Sequence, residues 1–191
     1  MSIGDVTGHG LESGVLMLMT QTVVRSLLVS EITDAKKFLI ALNRIIYDNM
    51  QRMGTDKNLT LSLLDYQEGQ LHITGQHEEV LLVRFDGNVT RIETIELGFF
   101  VGVVKDITQY ISLQKIKLQS GDGIVLYTDG ITEARNLTEE QYGVERLCEV
   151  VSRYWHFSAA EIQQAVIDDV HQFIGEQKVF DDMTLLVLKQ Q

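Results

Sequence analysis

The stretch NLTLSLLDYQEGQLHITG (residues 58–75) decides the fold. Apolar and polar residues alternate from Asn58 to Tyr66, Gln67-Glu68-Gly69 supplies a turn, and the alternation returns over 70–75. That pattern predicts an antiparallel β-hairpin. Working outward, the period changes on both sides. Upstream, residues 34–53 place Phe38, Leu42, Ile45, Ile46 and Met50 at helical spacing behind Asp34, a good N-cap. Residues 11–30 read as a largely buried helix that opens after a Gly8-His9-Gly10 turn. Downstream, EVLLVRF and VTRIETI flank the turn DGN as a second hairpin, and QYISLQKIKL (109–118) and IVLYT (124–128) flank QSGDG as a third. Helices are expected over about 143–155 and 158–175, the second with a Ser158/Glu161 capping box, and MTLLVLK (183–189) reads as a closing strand. Helices, then hairpins, then helices and a strand is not the strict alternation of a parallel sheet. It predicts an α+β fold of antiparallel sheets covered by helix pairs.

The 191 residues suit a single domain with a sizeable core, and 45 % hydrophobic residues fit a globular chain. The longest apolar region, VLMLM with TVVRSLLV, is interrupted by Thr20, Gln21 and Arg25 and falls short of the roughly 18 residues of a membrane span. No basic segment followed by an apolar stretch marks a secretory signal. The single cysteine, Cys148, excludes an internal disulfide, fits a reducing cytoplasm, and reads as a helix core position in RLCEVV. A net charge of −11 argues against nucleic acid as a partner and suits a chain whose carboxylates await a divalent cation.

Three segments put acids at the ends of β elements: Asp5 in SIGDV, Asp129 in IVLYTDG, and Asp181 with Asp182 in KVFDDMTLLVL. Each alone reads most simply as a turn. Brought together unpaired, such acids would repel one another at a cost of several kcal/mol, which a cation removes. Oxygen ligands without thiols favour hard ions, Mg²⁺ or Mn²⁺. GDVTGHG is the most specific of the three, because its glycines and histidine have no evident task in a plain helix cap.

GDVTGHGLESG (4–14), LYTDGITEARN (126–136), YGVERL (142–147) and DDMTLLVL (181–188), in this order, resemble the SpoIIE/RsbU-like bacterial branch of the PPM (type 2C) metal-dependent serine/threonine protein phosphatases. GQHEEVLLVRFDG (75–87) and LGFFVGV (97–103) look like that branch's middle section. The resemblance covers nearly the whole chain. It implies a four-layer α-β-β-α sandwich with a binuclear Mn²⁺ or Mg²⁺ centre. Asp5 then corresponds to the bridging ligand, the Val6 carbonyl to a backbone ligand, and Asp129 and Asp181 to the remaining carboxylates of the first metal site. Asp182 and Gly130 would support these ligands, and Gly8 and Gly10 would leave room for the phosphate. A metal-bridging hydroxide would attack phosphorus in line. His9 would either donate a proton to the leaving oxygen or orient the loop.

The family has an additional acid in a GGDWYD-like segment well upstream of the Asp5 motif, and only four residues precede Asp5 here. The expectation is a single phosphatase domain over 1–191, cut from a longer regulatory protein after its first strand or strands; a naturally short member is the alternative. The second metal site would lack a ligand, which predicts weak metal binding there and low turnover. An unpaired sheet edge predicts a homodimer. The resemblance also implies a cytoplasmic enzyme acting on a phosphorylated, anti-sigma-factor-antagonist-like regulatory protein and controlled by an upstream sensor domain. The rival reading is a pseudophosphatase that binds a phosphoprotein without turnover. A metal-dependent nucleotide hydrolase ranks lower, for want of a P-loop.

Other residues receive ordinary readings. His77 is expected at the margin of the site, and His72, His156 and His171 at strand or helix surfaces. Glu133 either orients the metal ligands or caps the segment after Asp129. Trp155 and Phe157 are expected to pack the junction of the last two helices, and Met17 and Met19 to lie in the core.

Overall fold

The computed structural model describes residues 1–67 and 69–191. Glu68, in the expected Gln67-Glu68-Gly69 turn, lies outside the described residues. In chain order the elements are β1 (Ser2–Val6), α1 (Leu11–Val29), α2 (Ala35–Met53), β2 (Leu59–Gln67), β3 (Gln70–Gln76), β4 (Val80–Val83) and β5 (Val89–Ile92). A 3₁₀ turn (Thr108–Tyr110), β6 (Gln114–Lys117), β7 (Gly123–Tyr127), α3 (Asp129–Thr132), α4 (Val144–Tyr154), α5 (Ala159–Ile174) and β8 (Leu185–Lys189) follow. They form two compact units, residues 1–77 with 94–116, and residues 78–93 with 117–191.

The first unit carries a sheet of order β1-β2-β3-β6 and the helix pair α1 and α2. Asp34 caps α2 by accepting a hydrogen bond from the Lys37 amide at 2.9 Å. Phe38, Leu42, Ile46 and Met50, spaced four apart, are buried with Leu39, Leu59, Leu61 and Val101. Each such side chain contributes roughly 1.5–3 kcal/mol through burial. Ile45, expected on the same side, is instead exposed. Asn43, within this buried stripe, donates to the Val104 carbonyl (2.9 Å) and accepts from the Gly102 amide (3.0 Å), which removes the penalty of burying an amide.

Two expectations about α1 need correction. The helix is not largely buried: Ser13, Leu16, Thr20 and Leu27 are covered, while Leu11, Met17, Leu18, Leu28 and Val29 are exposed. Met17 therefore lies outside the core, whereas Met19 packs against it. The apolar residues run all round the helix without a stripe, so their number says nothing about which side is covered.

The second unit carries a sheet of order β5-β4-β7-β8 with α4 and α5. All five residues of β7 are buried. Ile162, Val166, Val170 and Ile174 line the covered side of α5, whose start has the expected capping box: the Ser158 hydroxyl accepts from the Glu161 amide and the Glu161 carboxylate accepts from the Ser158 amide. Trp155 is fully buried, and its indole N–H donates to the Gly121 carbonyl at 3.0 Å. Phe157 stays largely exposed beside Tyr154 and His156. Cys148 is half-buried against the same core, which pushes its thiol pKa up through desolvation.

The hairpins β2–β3 and β4–β5 form as expected. The third does not. β6 joins β3 in the first sheet, and β7 pairs with β4 and β8 in the second. The reason lies in the turn between them. The Asp122 carboxylate, on a residue only 1 % exposed, accepts from the Gln119 amide (2.9 Å), the Phe85 amide (3.0 Å) and the Arg84 guanidinium (2.8 Å). These bonds fasten the start of β7 to the end of β4 rather than folding it back on β6.

Candidate active site

Each unit presents its acids at strand ends. In the first, Asp5 is the fourth residue of β1, opposite Thr60 of β2, and is half-buried. Beyond it the chain is pinned to residues 55–58. The Thr7 amide and hydroxyl both donate to the Asn58 carbonyl at 3.0 Å, and the Asn58 amide returns a bond to the Thr7 hydroxyl at 3.1 Å. The Thr7 carbonyl accepts from the Ser13 hydroxyl (3.2 Å) and from the Lys57 ammonium (2.9 Å). Gly8 has φ +71°, which favours glycine; a Cβ there would lie 2.6 Å from Lys57 Nζ, the free end of a side chain able to move aside. His9 is exposed, and Gly10, at φ +98°, starts α1.

His77 follows β3. Its Nδ1 shares a 2.8 Å hydrogen bond with the Thr60 hydroxyl, and its amide donates to the Thr94 hydroxyl at 2.9 Å. His156 and His171 lie on the surface as expected. His72 does not: it is half-buried, and its Nε2 is covered with no hydrogen-bond partner among the described residues.

In the second unit β7 ends at Tyr127 and the chain turns through Thr128 into α3, which begins with Asp129. Thr128 is 5 % exposed. Its hydroxyl donates to the Asp182 carbonyl (3.1 Å) and accepts from the Thr184 amide (3.0 Å), while its amide donates to the Thr184 carbonyl (3.1 Å). One short side chain therefore locks the segment carrying Asp129 to the segment carrying Asp181 and Asp182. Gly130 makes the closeness possible: a Cβ there would stand 2.3 Å from the Asp182 carbonyl oxygen. Gly130 thus has a packing task, performed by the absence of a side chain. The Asp181 carboxylate accepts from the Asp182 amide at 2.8 Å. Asp129 is half-buried, and Asp181 and Asp182 are exposed. The Glu133 amide closes α3 by donating to the Asp129 carbonyl at 2.7 Å, and its side chain is exposed. A cleft of about 340 Å³ opens beside Gly130, Glu133, Phe180 and Asp181. A larger cavity in the first unit, about 660 Å³, is lined by Leu28, Phe38, Leu63 and Ile111 and contains none of residues 5–10.

Asp129 and Asp181 are thus brought to one strand end, and Asp5 and the Val6 carbonyl to another. Among the described residues no three His, Cys, Asp or Glu side chains gather closely enough to hold a metal ion by themselves. The donors present at both ends are carboxylate and carbonyl oxygens, the chemistry that suits a hard divalent cation. Lys57 and Thr128 were missed by sequence reasoning. Lys57 sits in a polar loop sequence with no periodic signal, and Thr128 differs from an ordinary strand-end threonine only through its distant partners.

Two antiparallel sheets with helices are a fold shared with solved PP2C domains. The fold matches the SiaA-PP2C domain of Pseudomonas aeruginosa with a TM-score of 0.82 and 17 % identity, over 100 % of this chain and 75 % of that one. Residues 1–191 match the family Stage II sporulation protein E (SpoIIE), and the chain belongs to that family. It is 27 % identical to the phosphoserine phosphatase RsbU of Bacillus subtilis over 194 aligned residues, covering 99 % of this chain and 55 % of RsbU, so it spans about half that relative's length. The catalytic domain of the serine/threonine phosphatase PstP, solved with two manganese ions, matches with a TM-score of 0.67 and 17 % identity, over 97 % of this chain and 85 % of that one. Among the described residues no helix is long and apolar enough to cross a membrane.

Proposed function

We propose that this chain is a single metal-dependent phosphatase domain that hydrolyses phosphoserine or phosphothreonine on a regulatory partner protein. The observation that carries the reading is the Thr128 clamp. It holds Asp129 beside the Asp181–Asp182 segment at the end of a buried strand, an arrangement a solvated turn does not need. Asp129 and Asp181 at one strand end, and Asp5 and the Val6 carbonyl at the other, are the oxygen donors we assign to Mn²⁺ or Mg²⁺, which when bound would supply charge neutralisation at phosphorus and an acidified water. Membership of the SpoIIE family, similarity to RsbU and the manganese ions of PstP support this assignment.

The chain's own residues then have distinct tasks. Thr128 and Gly130 keep the two acidic segments together. Gly8 and Gly10 leave the main chain bare where the phosphate approaches. His9, exposed between them, protonates the leaving serine or threonine oxygen. Asp182 presents its carbonyl to Thr128 and so supports Asp181 from behind.

The test is phosphate release from a phosphoserine peptide with Mn²⁺, paired with calorimetric Mn²⁺ titration. Slow, chelator-sensitive release is expected, falling roughly 100-fold in Asp129→Asn together with loss of Mn²⁺ heat. No release and no binding heat from the unaltered chain would overturn the proposal.

A further inference from the structure

We infer that the cleft beside Asp181 is a specificity subsite for an apolar side chain of the protein substrate, close in sequence to its phosphoserine or phosphothreonine. Phe180 is the residue that grips this side chain, and the assignment rests on the phosphatase reading above. The cleft, about 340 Å³, is continuous with the acids of that reading, because Gly130 and Asp181 line it. Its floor is Ala134, Ile174 and Met183, which belong to the core of the second unit or pack against it. Its lip is Val179 and Phe180, which are 45 % and 65 % exposed.

Single exposed apolar residues are ordinary on a protein surface. Here the exposed pair lines one concave wall with a buried apolar floor, directly before an acid of the site, and apolar surface arranged so marks a contact region. The two loops that form the cleft are also tied together. The Glu139 carboxylate accepts from the Arg135 guanidinium (3.2 Å) and from the Gln177 side-chain amide (3.2 Å), which lies 38 residues away. The rim charges balance, Arg135 and Lys178 against Glu133 and Glu139, so they select no charged side chain. A charged side chain would lose water against the apolar floor at a cost, whereas leucine, methionine or phenylalanine gains by burial there. The reach fits as well. An extended peptide advances about 3.3–3.6 Å per residue. A substrate whose phosphoryl group meets the Asp181 end therefore places the residues next to its phosphoserine at the cleft that Asp181 borders. A turn that only positioned Asp181 would be served by Thr128 and Gly130, and has no use for an apolar lip.

The experiment measures kcat/KM with Mn²⁺ on phosphoserine peptides in a glycine-serine background. Leucine, aspartate or lysine is placed in turn at each of the two positions before and the two after the phosphoserine. Leucine at one of these positions raises kcat/KM roughly tenfold over glycine, chiefly through KM, and aspartate and lysine there do not. In Phe180→Ser and Val179→Ser this ratio falls toward one, while Phe180→Leu retains most of it. Equal rates for all flanking residues, or a leucine preference that survives both serine variants, would overturn the inference. So would a loss in Phe180→Ser that is uniform across the peptides, the mark of a residue that only holds Asp181 in place. If the unaltered chain hydrolyses neither the peptides nor p-nitrophenyl phosphate, the phosphatase reading fails. Fluorescence anisotropy of the labelled peptides then still decides the cleft. Tighter binding of the leucine peptide that is lost in Phe180→Ser supports the subsite, and equal affinities count against it.

Discussion

Replacing Gly130 by alanine tests whether the close approach of two backbone segments positions Asp181. The added Cβ would stand 2.3 Å from the Asp182 carbonyl oxygen and 3.0 Å from its carbon, where real Cβ contacts stop near 3.0 Å. The Asp182 carbonyl must therefore retreat by about 0.7 Å. It cannot move alone, because the Thr128 hydroxyl holds it at 3.1 Å and the Thr184 amide holds that hydroxyl at 3.0 Å. Either these bonds lengthen or Asp181 shifts with its neighbour. Overpacking of this kind costs about 1–3 kcal/mol of stability. A misplacement approaching 1 Å at a reacting centre costs up to about 100-fold in rate, so kcat/KM for a phosphoserine peptide should fall roughly 10- to 100-fold. Gly14→Ala is the control. It lies within α1, its Cβ would meet nothing within 4 Å, and alanine there should raise stability by about 0.5–1 kcal/mol without loss of rate. Urea unfolding measured alongside the kinetics separates the two effects. If Gly130→Ala keeps stability and kcat/KM within threefold of the parent, the contact with Asp182 does not set the position of Asp181.

Asp122→Ala removes a buried acceptor of three hydrogen bonds and should cost about 3–5 kcal/mol, whereas Arg84→Ala, with a side chain 41 % exposed, should cost about 1 kcal/mol or less; equal losses in urea unfolding would contradict this. Burial acts to raise the Asp122 pKa, but the hydrogen bonds from Gln119, Arg84 and Phe85 outweigh it and hold the carboxyl below its ordinary value. Asp169, hydrogen-bonded first by Arg146 and then by Tyr142, is lowered as well. Their stabilisation is thus fully present above the unfolded carboxylate pKa of about 3.9 and is lost as pH falls through the lower folded values. Unfolding midpoints of the parent should drop faster than those of Asp122→Ala below about pH 4, and parallel curves would refute the linkage. Asn43→Ala orphans the Gly102 amide and the Val104 carbonyl and should cost about 2–4 kcal/mol. A loss under about 1 kcal/mol, read from the same urea curves, would show that water replaces the amide.

What was legible in the sequence was local. The four-residue spacing of Phe38, Leu42, Ile46 and Met50, the Ser158/Glu161 box and the alternation over 58–75 each contain their own partner within a few residues, so a helix, a cap and a hairpin could be read directly. Sheet membership could not. β6 and β7 look like two arms of a hairpin because both are short and a glycine-rich turn joins them. The choice is made by Asp122, whose partners Arg84 and Phe85 lie more than thirty residues away. The same division runs through the site. Asp5, Asp129 and Asp181 announce themselves by residue type at strand ends, since an acid there is conspicuous. What fixes them is neutral or common: a threonine hydroxyl shared between two segments, a glycine without a side chain, a lysine laid along a backbone. Such residues are informative only once their partners are known, because a hydroxyl or an ammonium in a polar stretch has water as its default partner. It follows that substitutions at Thr128 should damage activity about as severely as those at the acids themselves. A Thr128→Val variant keeps the volume but deletes both hydroxyl bonds to the Asp182–Thr184 segment, and with them the relation between Asp129 and Asp181 on which the proposed chemistry depends.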